Sequence, residues 1–175
     1  MMQVALKRIW QIVLLVAAQI LVCNHFHIFG YATPMIYVLF LCYIPINANR
    51  IGTLCWAFVL GLLVDLFSGT PGQASASMTL AAFAQAPLLK AMAPKERPED
   101  FTPSFRALGK GSHTVFLLVL TCIHHVSYIA LEYMSFFSLL DAALSLAGSL
   151  LLSMAVMLTL ETMRGRKRRQ QLPTD

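Results

Sequence analysis

All thirteen lysines and arginines of this 175-residue chain fall in four places, and long apolar runs separate them. Lys7 and Arg8 come first and Arg50 stands alone. Lys90, Lys95, Arg97, Arg106 and Lys110 form a third group, and Arg164, Arg166, Lys167, Arg168 and Arg169 a fourth. Soluble domains spread charge over their surface and carry roughly 25% charged and 45–50% apolar residues. Here 12% are charged and 58% hydrophobic. The pattern predicts an all-α integral membrane protein. The net charge of +5 then encodes orientation, not affinity for nucleic acid, because the cations lie between apolar runs. A β-barrel is excluded, since barrel strands alternate polar and apolar residues.

A membrane helix needs ~20 apolar residues. Six candidate spans satisfy or approach this, at about 9–29, 34–47, 51–68, 74–92, 113–133 and 139–163. The second is short, and only Asn47, Ala48, Asn49 and Arg50 separate it from the third, which predicts a tight helical hairpin. Six crossings place every lysine and arginine on one face, whereas five or seven would scatter them. The positive-inside rule puts that face, and both termini, in the cytoplasm. The predicted organisation is a transmembrane domain over 1–163, with a cytoplasmic loop at 94–111 and a basic cytoplasmic tail at 164–175. No A-x-A cleavage site follows the first span, which is therefore read as uncleaved. Cys23, Cys42, Cys55 and Cys122 stand singly in apolar runs and read as packing residues.

Within the loop, Pro94, Pro98 and Pro103 mark turns, while Phe101, Phe105 and Leu108 recur at helical spacing. The readings are a short helix on the inner leaflet, a plain loop, or a site for a cytoplasmic partner. The tail reads as an anchor on anionic lipid.

Ionisable residues inside spans are costly and functional by default. Asp65 is the foremost. Ala57, Gly61, Asp65 and Gly69 recur every four residues and share a helix face, where small residues let another backbone approach. Gly69, Pro71 and Gly72 then turn the chain. Asp65 lies ~21 Å along its helix from Ile51, toward the outer face. Glu132 and Asp141 also lie outward, and all the cations lie across ~30 Å of hydrocarbon. Asp65 must then be protonated, hydrogen-bonded, or met by a cation from another chain; hydrogen bonding is the first reading.

In the fifth span His124, Tyr128 and Glu132 line one stripe with His125 beside it, and structural hydrogen bonding is preferred over partner contact or metal chemistry. Asp141, Ser145, Ser149 and Ser153 make a second close-packing seam. His25 and His27 read as anchors at the outer interface. No H-E-x-x-H and no nucleophile–base pair is placed by spacing, so no catalytic residue, metal or cofactor is expected.

The stretch from Gly61 to Gly72, with Leu62, Asp65 and Leu66 inside it and Gln73-Ala74-Ser75-Ala76-Ser77 after it, resembles the rod shape-determining protein MreD family. The family carries a G-x-x-x-D-x-x-x-x-x-x-G pattern in a small chain of five or six spans. Gln73-Ala74 departs from the Leu-His-like continuation of other members.

The resemblance implies a non-enzymatic scaffold of the cell-elongation machinery in the cytoplasmic membrane. It would bind an MreC-like protein and through it influence MreB, RodA and a transpeptidase penicillin-binding protein. The residues expected at partner or helix-packing contacts are Gly61, Asp65, Gly69, Gly72, His124, His125, Glu132 and Asp141. The family's architecture is similar to the substrate-binding subunits of energy-coupling-factor transporters. The alternative function is therefore a small-ligand, vitamin-type binding subunit.

Overall fold

The computed structural model describes residues 2–21, 33–96, 98, 101–132 and 139–170. Apolar runs of this length fold as helices because each helix satisfies its own backbone polar groups. The chain is all-helical, with α1 (Met2–Leu21), a 3-10 helix (Ile36–Tyr43), α2 (Arg50–Ser68), α3 (Gln73–Met92), α4 (Lys110–Glu132) and α5 (Leu139–Gln170). Among the described residues three helices are long and apolar enough to cross a membrane, at Arg50–Ser68, Lys110–Glu132 and Ala142–Arg164, which suggests a multi-pass membrane protein.

Chain neighbours pack on one another: α1 on α2, α2 on α3, α3 on α4 and α4 on α5. The 3-10 helix touches all five. Its Val38, Phe40, Leu41 and Cys42 are wholly buried. The segment expected as an ordinary second α-helical span is thus a slim thread enclosed by the other helices. Pro34 and Pro45 bracket it and discourage a longer α-helix.

Eight 3-10 residues rise only ~16 Å. The flanking chain lengthens the path. The backbone N–H groups of Thr33 and Met35 donate to Ser149 and Ser153 Oγ on α5 (3.1 and 2.8 Å), and at the far end the Arg164 guanidinium lies 4.3 Å over the Tyr43 ring. Ser149 to Arg164 is ~22 Å of α-helix. The thread and its flanking chain therefore run alongside α5, in the same direction, over ~22 Å.

A 3-10 run this long is uncommon because its hydrogen bonds are poorly aligned. Here side chains supply the bonds its ends lack. Gln19 Nε2 donates to the Pro34 carbonyl (2.9 Å) while its Oε1 accepts from Ile36 N–H (3.0 Å). Gln85 Nε2 reaches the carbonyls of Leu41 and Ile44 at 3.4 and 3.5 Å. The seam containing Ser149 and Ser153, expected to serve helix packing, acts here as a pair of hydroxyl caps.

The 94–111 segment forms no helix at Phe101–Leu108. It makes a turn over 105–108, with Ala107 and Leu108 N–H donating to the Ser104 carbonyl at 3.1 and 3.0 Å. Phe101 is buried, and its carbonyl accepts from Ile46 N–H at 2.9 Å. Of the apolar side chains that suggested an interfacial helix, Phe101 and Leu108 pack instead on the chain's own core and Phe105 meets the His113 ring. At the C-terminus, α5 continues as helix through the basic residues to Gln170.

Candidate functional site

The Gly61–Gly72 stretch is a helical hairpin whose residues divide the work of closing it. Ala57, Gly61 and Asp65 lie on the buried side of α2. A Cβ on Gly61 would stand 2.4 Å from Ser75 Cα and 2.6 Å from the Ala74 carbonyl oxygen, so only glycine admits the first turn of α3 at this distance. One turn further on, Asp65 meets the unpaired donors of that same turn. Its Oδ1 accepts from Ala74 N–H (2.8 Å) and its Oδ2 from Ser75 N–H (2.9 Å), while Thr70 Oγ1 donates to Oδ1 at 3.0 Å.

A carboxylate at a helix N-terminus is favoured by the exposed amides and by the helix dipole. Gly72, the residue before α3, has no side chain to cap with. Asp65 provides that cap from the neighbouring helix. Gly69 ends α2 with φ of 70°, and its N–H donates to the Asp65 carbonyl at 2.9 Å. Gly72 has φ of 87° and completes a turn in conformations that side chains resist.

Asp65 is 3% exposed, and its neighbours Ala74 and Ser75 are buried with it. The hydrogen-bonding reading of this residue therefore describes its environment, with backbone amides and a threonine as the donors. Neither ion pair among the described residues involves it.

The two histidines of α4 differ. His125 is bonded at both ring nitrogens: Nδ1 lies 2.8 Å from the Thr121 carbonyl and Nε2 3.0 Å from Ser153 Oγ. Because the Thr121 carbonyl can only accept, the hydrogen sits on Nδ1, and Nε2 accepts from the Ser153 hydroxyl. His125 thus links α4, α5 and the thread through one hydroxyl.

His124, though fully buried, has no hydrogen-bond partner at either nitrogen, contrary to the bonding expected of it. Aromatic contacts hold it: Tyr37 edge-on at 5.0 Å, Tyr128 stacked at 6.2 Å and His125 at 5.5 Å. Glu132, on the same stripe, is exposed at the end of α4 and is not drawn into this cluster. Asp141 lies in α5, and its side chain is outside the described residues, as are His25 and His27.

A third cluster was not anticipated. Glu161 of α5 is buried, with Arg164 Nη1 at 2.9 Å from Oε1 and His113 Nε2 at 3.5 Å from Oε2. His113 is fully buried and meets the Phe105 ring edge-on at 4.9 Å. The i,i+3 spacing of Glu161 and Arg164 was legible, but a lone histidine at the start of α4 gave no sign that it would join them.

These features define a small helical protein of membrane character, with buried polar groups engaged chiefly in joining its own elements. Compared with known proteins, the chain matches no family model, no curated protein and no solved structure. Among the described residues no group of three or more potential metal ligands converges.

Proposed function

We propose that the chain is a non-enzymatic scaffold of the bacterial cell-elongation machinery, of the MreD kind, seated in the cytoplasmic membrane. In this reading it binds an MreC-like protein through its transmembrane surface, and through that partner acts on MreB, RodA and a transpeptidase. The chain makes six passages, the enclosed thread being the second, and both termini face the cytoplasm. One contact supports this arrangement: Arg164, in the last basic group, lies over Tyr43 at the end of the thread.

The observation that carries the reading is the internal use of Asp65. A carboxylate engaged by two amides and a hydroxyl of its own chain builds a hairpin, while Ile51, Phe58, Leu62 and Leu66 of α2 and Leu6, Trp10 and Leu14 of α1 remain exposed. Such a surface suits lipid and other membrane helices. The alternative of a vitamin-type binding subunit is less well supported, because thread side chains fill the middle of the bundle.

Purification of the tagged chain in mild detergent tests the proposal. Recovery of a protein with one membrane span and a periplasmic domain, together with loss of rod shape on depletion, is the expected outcome. Recovery of an ATPase-coupling subunit, with retained shape and impaired vitamin uptake, would replace this reading with the transport one. Alkaline phosphatase fused after Asp175 is expected to be inactive, as befits a cytoplasmic terminus.

A further inference from the structure

The segment from Phe101 to Leu108 lies as a strap across one end of the bundle. Its attachments are few. Ile46 N–H donates to the Phe101 carbonyl, Phe101 is buried, Ala107 and Leu108 rest on the core, and the Phe105 ring meets the edge of His113. The Ile46 bond ties the strap to the chain three residues beyond the thread, whose Cys42 is wholly buried and whose Tyr43 is partly so.

Phe105 sits against His113, which is fully buried, stacks on Phe116 at 6.3 Å and has Glu161 as its polar neighbour. Neither ring nitrogen makes a hydrogen bond, and Glu161 Oε2 stands 3.5 Å from Nε2 as an ion-pair partner. Glu161 is fixed in turn by Arg164, whose guanidinium also lies over Tyr43. One buried carboxylate therefore connects α4, α5, the thread and, through the histidine ring, the strap. A buried acid with two nitrogen partners is a poor choice for stability alone, since an apolar group often serves as well.

We propose that Glu161, His113 and Arg164 form a latch that keeps the Phe101–Leu108 strap closed over this end of the bundle. The latch is a positioning device. Breaking it frees the strap and bares its apolar underside together with the thread's end, while the rest of the bundle stays folded. The inference does not depend on the partner proposed above.

Trypsin reads the latch directly. Arg106 is exposed on the strap, but cleavage needs several residues around it to leave the surface, so the rate follows strap opening. The full chain in mild detergent is digested, and cuts at Arg106 and Arg50 are timed by mass spectrometry. Glu161→Ala and Phe105→Ala are each expected to raise cleavage at Arg106 at least tenfold and to leave Arg50 at the parent rate. Glu161→Gln keeps the volume and removes the charge, and is expected to fall between. Parent-rate cleavage at Arg106 in Glu161→Ala would overturn the proposal. So would an equal rise at Arg50, which would mean that Glu161 supports the whole fold and not the strap.

Discussion

Replacing Asp65 removes the cap of α3, and its cost follows from the geometry. Asp65→Leu removes both acceptors from Ala74 and Ser75 N–H, which lie 2.8 and 2.9 Å from separate carboxylate oxygens. Both residues are buried at or below 3% exposure, so water does not replace the lost oxygens. A buried donor left unmade costs ~1–3 kcal/mol, giving ~2–6 kcal/mol for the pair. Asp65→Asn keeps one carbonyl oxygen but turns an amide donor toward the second N–H, which predicts about half that loss.

Cys42 provides the assay, because it is wholly buried in the thread and reacts with a thiol dye only when the bundle opens. In a variant with Cys23, Cys55 and Cys122 changed to serine, labelling under conditions of rapid reclosing reports the open population. With a factor of ten for every ~1.4 kcal/mol, Asp65→Leu is expected to speed labelling roughly 30-fold to 10⁴-fold and Asp65→Asn about 5-fold to 150-fold. Labelling of Asp65→Leu at the parent rate would refute the assignment of Asp65 as the cap of α3.

Three further outcomes are expected. Gly61→Ala drives a methyl group into the α3 backbone, where overpacking costs ~1–3 kcal/mol or more, and is expected to destabilise more than Gly69→Ala. Gly69 has open space around it and bears only the left-handed backbone penalty of ~1–2 kcal/mol; the Cys42 assay ranks the two. Gln19→Leu strands the Pro34 carbonyl and Ile36 N–H, so hydrogen exchange at the Ile36 amide is expected to quicken while that at α3 amides is unchanged. Ser153→Ala deprives both Met35 N–H and His125 Nε2 of a partner, whereas Ser149→Ala deprives only Thr33 N–H; detergent-denaturation midpoints are expected to fall further for the first.

The hairpin was the most legible part of the molecule. Its parts lie within 15 residues of sequence, from Gly61 to Ser75, so four-residue spacing identified the close-packed face and the glycines marked the turn. What spacing did not give was the acceptor role of each carboxylate oxygen, because that depends on where the first turn of α3 comes to rest. His124 and His125 show the limit more sharply. Adjacent in sequence and both wholly buried, they differ because one faces Ser153 and the other lies among rings.

The sequence by itself determined the helical membrane character of the chain and the grouping of its cations, since both are transfer properties of runs of residues. It also marked the hairpin, whose contacts are local. Tertiary structure decided that 36–43 is an enclosed 3-10 thread: a hydropathy pattern gives the same signal for any buried apolar conformer. Its caps come from residues up to 118 positions away. The Glu161 cluster and the folded-back strap arise likewise from contacts between distant segments. They follow from which helices become neighbours, and no local spacing encodes that choice.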